Sequence, residues 1–171
     1  YSAELITKSV EVLAKTANDA TKNLYDRNRA VYDLLRYGAK IKAEQSPAAE
    51  TVWFIDWENV AANRFLVAEE VSVQLRTGVA ATKRPDVVMY VNGIAIGVLE
   101  LKRSTVSVSE GIRQNLENQR PEFIEQFFST VQLVMTGNDS QGLHYGTIQT
   151  PERYNLTWKE SSDVENALDR S

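Results

Sequence analysis

The stretch RPDVVMYVNGIAIGVLELKRS, residues 84–104, constrains this chain more than any other. Its halves, VVMYV and IAIGVL, are apolar at successive positions rather than at alternate ones. They are joined at Asn92-Gly93, a strong hairpin signal. Such a pair reads as two central strands covered on both faces. Asp86, Glu100 and Lys102 stand at the open end of the hairpin. Removing them from water there is costly unless they pair or hold a cation. The tetrapeptide LELK also alternates apolar and charged, as a half-exposed strand does. On its own, therefore, Glu-x-Lys does not separate a wet strand from a site.

Register decides whether the three charges can meet. Directly opposed residues in an antiparallel pair point to the same face. A two-residue turn opposes Val91 to Ile94 and Asp86 to Leu99, turning Asp86 away from Glu100 and Lys102. A three-residue loop, Val91-Asn92-Gly93 with a bulge at Gly93, opposes Asp86 to Val98 and restores the shared face. A common site thus predicts the longer loop. With the three together, two carboxylates and the backbone carbonyl of Leu101 offer hard oxygen ligands suited to Mg²⁺ or Mn²⁺. Lys102 beside them would orient water or offset phosphate charge. Gln114, on the helix that follows, would hydrogen-bond DNA or a water at the same place.

The rest of the chain places this hairpin in an α/β sheet of mixed direction. Residues 3 to about 37 carry apolar side chains at three- and four-residue steps, Ile6, Val10, Leu13 and Ala17 among them. They predict helices packed on the sheet, with a break at Asn18-Asp19. AKIKAE and TVWFIDW flank QSPA as a hairpin, and NRFLVAEEVSVQL reads as a strand interrupted at Glu69-Glu70. Ser107 and Glu110 form a capping box for a helix over about 108–119. Pro121 starts a further short helix, PEFIEQFF. VQLVMTG is a buried strand, and HYGTIQ is one more. The organisation expected is a helical segment over 1–37, a core over 38–150 and the start of a linker over 151–171.

The chain has 171 residues, 43% of them hydrophobic, which suits one well-packed domain. It has no cysteine, so disulfides and thiolate metal sites are excluded and a reducing, cytoplasmic setting is expected. No run approaches a membrane span. A net charge of −4 argues against a free-standing DNA binder but not against an enzyme with a local basic patch. Lys83, Arg84, Lys102 and Arg103 supply such a patch.

Pro85-Asp86, thirteen intervening residues and Glu100-Leu101-Lys102 resemble the PD-(D/E)xK nuclease signature. The surrounding text is more specific. RPDVVMYVNGIAIGVLELK, with RNRAVYDLLRYGAKI and FIDWENVAANRFLVAEEVSV upstream, resembles the N-terminal nuclease domain of the restriction (R) subunit of type I restriction-modification enzymes. The resemblance covers roughly residues 25–150. It implies a restriction-endonuclease-like fold, a central mixed sheet flanked by helices, acting as a Mg²⁺-dependent endonuclease on double-stranded DNA. It further implies Asp86 and Glu100 as metal ligands and Lys102 as the catalytic lysine. Gln114 falls at the glutamine of the family's Q-x-x-x-Y motif, with Asn118 where the tyrosine belongs. The family's helicase-like motor domains use ATP, and its methylation and specificity subunits recognise the target. This chain has no phosphate-cradling G-x-x-x-x-G-K-[ST] loop, so ATP would act through domains outside it. The alternatives are a repair or mobile-element nuclease of the same superfamily, or a docking domain that keeps the fold without the chemistry.

His144 lacks histidine partners and reads as structural. Trp53 and Trp57 read as packing residues, and Glu69 and Glu70 as a solvated edge.

Overall fold

The computed structural model describes residues 1–44, 46–75 and 82–159. Two helices open the chain, α1 (Ala3–Ala17) and α2 (Leu24–Tyr37), separated at Asn18-Asp19 as the sequence predicts. Ser2 and Asn23 cap them, each side-chain oxygen accepting from the backbone N–H three residues on. The buried stripe of α1 follows the expectation at its C-terminal end only. Leu13 and Ala17 pack with Val91, Ile94 and Ile96 of the main sheet. In the first turns Leu5 and Ser9 face inward while Ile6 and Val10 are about half exposed, because this end packs beside a small hairpin. That hairpin is β1 (Ala39–Ile41) with β2 (Glu50–Val52). The second strand stops at Val52, so Trp53 and Trp57 lie in a loop, half exposed, not in the packing expected of them.

Six strands form the main sheet: β3 (Phe65–Glu69), β6 (Val87–Val91), β7 (Ile94–Leu101), β8 (Leu133–Asn138), β9 (Gly142–Gly146) and β10 (Leu156–Thr157). Their order is β10-β9-β8-β7-β6-β3. Between β3 and β6, β4 (Val73–Gln74) and β5 (Thr82–Lys83) make a separate two-stranded ladder. Every neighbour pair of the main sheet is antiparallel except β7–β8, which is parallel. A parallel pair needs a crossover, and α3 (Val108–Asn118) supplies it. The architecture is therefore α/β with a mixed sheet, as expected. Val88, Val98 and Val134 form an apolar row across β6, β7 and β8, packed with Leu24, Ile124 and Phe128. PEFIEQFF is not a full helix; after a turn at Pro121 it forms a 3-10 segment over Glu125–Ser129. Asn28 holds that segment by donating to the carbonyls of Phe128 and Val131. The sheet continues past residue 150 through β10. Among the described residues no helix is long and apolar enough to cross a membrane.

Candidate metal and nuclease centre

The β6–β7 register corrects the expected turn. Val91 pairs with Ile94, so the connection is the tight two-residue turn Asn92-Gly93, not the three-residue loop. Both turn residues have positive φ, 52° and 83°, which Asn and Gly tolerate and which matches the twist of the flanking strands. Regular pairing from there would place Asp86 opposite Leu99. It does not continue: Tyr90 pairs with Ala95 but Met89 with Gly97. Ile96 is the extra residue, a β-bulge within β7. Beyond it Val88 faces Val98 and Val87 faces Leu99, which brings Asp86 level with Glu100. The inserted residue that a shared face requires is present, three positions beyond the turn. Asp86 is consequently opposite Glu100 rather than opposite Val98.

The register of β7 with β8 places Thr136 beside Glu100. Asp86, Glu100 and Thr136 thus form a polar row on the same face as Val88, Val98 and Val134, one step nearer the open end. α3 covers this row. Asn115 donates to the Met135 carbonyl and to Thr136 Oγ1, anchoring the helix to β8. Gly111 lets it approach: a Cβ there would lie 2.3 Å from the Thr136 methyl and 3.3 Å from Lys102 Cε. A glycine inside a helix costs about 1 kcal/mol relative to alanine, so its position marks close packing. Neither Thr136 nor Gly111 was singled out from the sequence, although a glycine four residues past an N-cap was the available signal.

Lys102 Nζ donates to Glu100 Oε1 at 2.8 Å and to Gln114 Oε1 at 2.7 Å. Gln114 therefore holds the lysine through its carbonyl oxygen. Asp86 Oδ2 accepts from the Leu101 N–H at 2.7 Å, tying the two strand ends together. Glu100 is 3% exposed, and its Oε2 is buried without a hydrogen-bond partner among the described residues. Burial pushes the Glu100 carboxyl above the usual carboxylate range, the hydrogen bond from Lys102 opposes the rise, and the charge of Asp86 adds to it. Among the described residues, no cluster of three or more histidine, aspartate or glutamate side chains could hold a metal. The Asp86 and Glu100 carboxylates stand here as the sequence-expected donors, with the Leu101 carbonyl expected as a third.

The remaining sequence candidates lie apart from this cluster or have other partners. Asn118 is buried one turn beyond Gln114 with its side-chain oxygen unpaired, so it is no exposed substitute for a tyrosine. Of the basic patch, Lys83 sits over the Phe123 ring and Arg84 pairs with Glu70 at 3.5 Å. Glu70 is exposed with φ 50°, and its N–H donates to the Asp86 carbonyl. His144, on β9 beside Thr136, has Nε2 3.3 Å from the Gln141 carbonyl oxygen.

A family model described as the type I restriction enzyme R protein N terminus matches residues 2–153. A putative type I restriction enzyme MjaIXP endonuclease subunit of Methanocaldococcus jannaschii is 28% identical over 123 residues, covering 71% of this chain and 12% of that protein. The type I restriction enzyme HindI endonuclease subunit of Haemophilus influenzae is 27% identical over 139 residues, covering 78% of this chain and 13% of that protein. The chain spans about an eighth of the length of these curated relatives.

Proposed function

The chain belongs to the family of type I restriction enzyme R protein N-terminal regions, and on that premise we propose that it is the DNA-cutting part of such an enzyme. The reading is a Mg²⁺-dependent endonuclease of the PD-(D/E)xK type, hydrolysing phosphodiester bonds of double-stranded DNA. The observation that carries it is Glu100. A carboxylate 3% exposed, with one oxygen on Lys102 and the other unpartnered, is an expensive feature for a fold to keep. The names of the two relatives support a role in cutting.

The residues present fit a small hard cation. Glu100 Oε2, the Asp86 carboxylate and the Leu101 carbonyl would hold it, leaving other positions to water and to phosphate oxygens, as Mg²⁺ prefers. When bound, the ion supplies polarisation of the phosphate, a lower pKa for water and charge stabilisation on the leaving oxygen. Asp86 fixes the spacing of the strand ends by accepting the Leu101 N–H. Lys102 presents its ammonium beside the carboxylates, where it orients the attacking water and offsets charge building on the phosphate. Gln114 keeps the ammonium in place, and Thr136 with Gly111 shapes the slot its stem crosses. Motor domains using ATP, and methylation and specificity subunits, belong to the assembly proposed around this chain in the cytoplasm.

The test is cleavage by the reconstituted enzyme carrying Asp86→Ala, Glu100→Ala or Lys102→Ala in the R subunit. Loss of cutting with assembly and ATP hydrolysis retained supports the reading. Cutting that survives all three changes would instead make this a docking domain.

A further inference from the structure

β3 ends the sheet, and among the described residues its outer edge is unprotected in two ways. Phe65, Leu66 and Val67 are 59%, 51% and 63% exposed, an apolar run pointing to both faces with neither proline nor charge inside it. Monomeric sheet proteins usually blunt such an edge with lysine, proline or a bulge. The backbone is open as well. The Arg64 carbonyl accepts from the Asn92 N–H, and the Glu70 N–H donates to the Asp86 carbonyl. Even-numbered residues of β3 therefore bond inward to β6. The N–H and C=O groups of Phe65, Val67 and Glu69 point outward.

We propose that this edge is self-complementary and pairs two copies of the chain, antiparallel, about a two-fold axis at Val67. The parity is correct for it. A two-fold at Val67 opposes Val67 to itself and Phe65 to Glu69 of the other copy, and all of these carry outward backbone groups. The intervening pairs are Leu66 with Ala68 and Arg64 with Glu70. Arg64 and Glu70 flank β3 and are both exposed, Glu70 also reaching Arg84 at 3.5 Å, and in the pair each end of the seam would bring Arg64 of one copy near Glu70 of the other. This charge match selects a second copy over an unrelated strand, which would have no reason to mirror β3. Opposed residues share a face, and Glu70 lies level with Asp86 across β3–β6. Pairing would thus set both Asp86–Glu100 clusters on one face of a continuous sheet. The dimer stands on β3 alone and holds whether or not those clusters bind metal.

Sedimentation equilibrium of the 171-residue chain over roughly 10–500 µM, at low salt, tests this. A monomer–dimer equilibrium is expected, because a seam of five residues a side is short. Val67→Lys places like charges on the axis and abolishes the dimer. Arg64→Glu and Glu70→Lys each oppose like charges at both ends and weaken self-association by about tenfold or more. Mixed together, those two variants restore opposite charges at both ends and form a heterodimer. That mixture also shows that neither variant has lost its fold. A chain that stays monomeric throughout the range overturns the proposal. So does a dimer indifferent to Val67→Lys, or a mixture that associates no better than its parts.

Discussion

The β6–β7 hairpin has two polar ends, and they are built to opposite rules. At the turn, Asn63 and Asn92 tie three segments together and every side-chain amide group has a partner. Asn63 accepts from the Asp56 N–H and from Asn92 Nδ2 and donates to the carbonyls of Asp56 and Val60. Asn92 also receives the Arg64 N–H and donates to the Phe54 carbonyl. At the open end, Glu100 keeps an oxygen with no partner, in a site less exposed than either asparagine. A saturated network fixes the fold. An unsaturated one holds a carboxylate at a cost in stability, ready for something the chain does not itself provide.

The sharpest way to break this contrast is to cut each end in turn. Asp86→Ala, Glu100→Ala or Lys102→Ala should lower DNA cleavage by the assembled enzyme about a hundredfold or more. Melting of the chain should shift by no more than a few degrees, a far smaller effect than that on cleavage. Asn63→Ala should do the reverse. Losing a buried hub costs about 1–3 kcal/mol, which lowers the Tm by several degrees while the folded fraction still cuts. An Asn63 variant that folds well and cuts poorly would dissolve the distinction between the two ends.

Gly111→Ala probes how the open end is roofed. The added methyl meets the Thr136 side chain and the Lys102 stem, so packing strain of about 1–3 kcal/mol competes with the gain in helix propensity. Cleavage should fall more than stability does. Adding Thr136→Ser, which removes the methyl in contact, should recover part of it.

The smallest effect concerns charge. Glu100 has a raised folded-state pKa, so its charged form is disfavoured by folding and opposes stability at neutral pH. Glu100→Gln should therefore raise the Tm measured in EDTA by a few degrees at neutral pH, while with Mg²⁺ supplied the variant enzyme should not cleave. As pH falls from the raised pKa toward and below the unfolded value, Glu100 protonates and the gap between variant and parent should close. A variant less stable than its parent at neutral pH, with that deficit closing on acidification, would mean that the Lys102 bond outweighs burial.

Much of this architecture was legible in the sequence. The helix break at Asn18-Asp19, the cap at Ser107 and the central hairpin follow from local rules of capping and apolar pattern. So does the need for one inserted residue between Asp86 and Glu100. Its position did not follow. Asn-Gly favours the tight turn, and nothing in IAIGVL marks Ile96 as bulged, because a bulge among apolar residues leaves no break in hydropathy. Ile6 and Val10, exposed in the first turns of α1, differ from the expectation for a related reason: apolar periodicity gives a helix its face but not its neighbour. The bond from Lys102 to Gln114 was not legible either, since it depends on how closely Gly111 lets α3 approach.

Anomalous diffraction from crystals of the chain soaked in Mn²⁺ tests the central claim most directly. A peak within coordination distance of Glu100 Oε2, the Asp86 carboxylate and the Leu101 carbonyl is the result this account predicts. Crystals with that pocket open to solvent and no peak there, or with manganese only on exposed carboxylates such as Glu69 and Glu70, would contradict it.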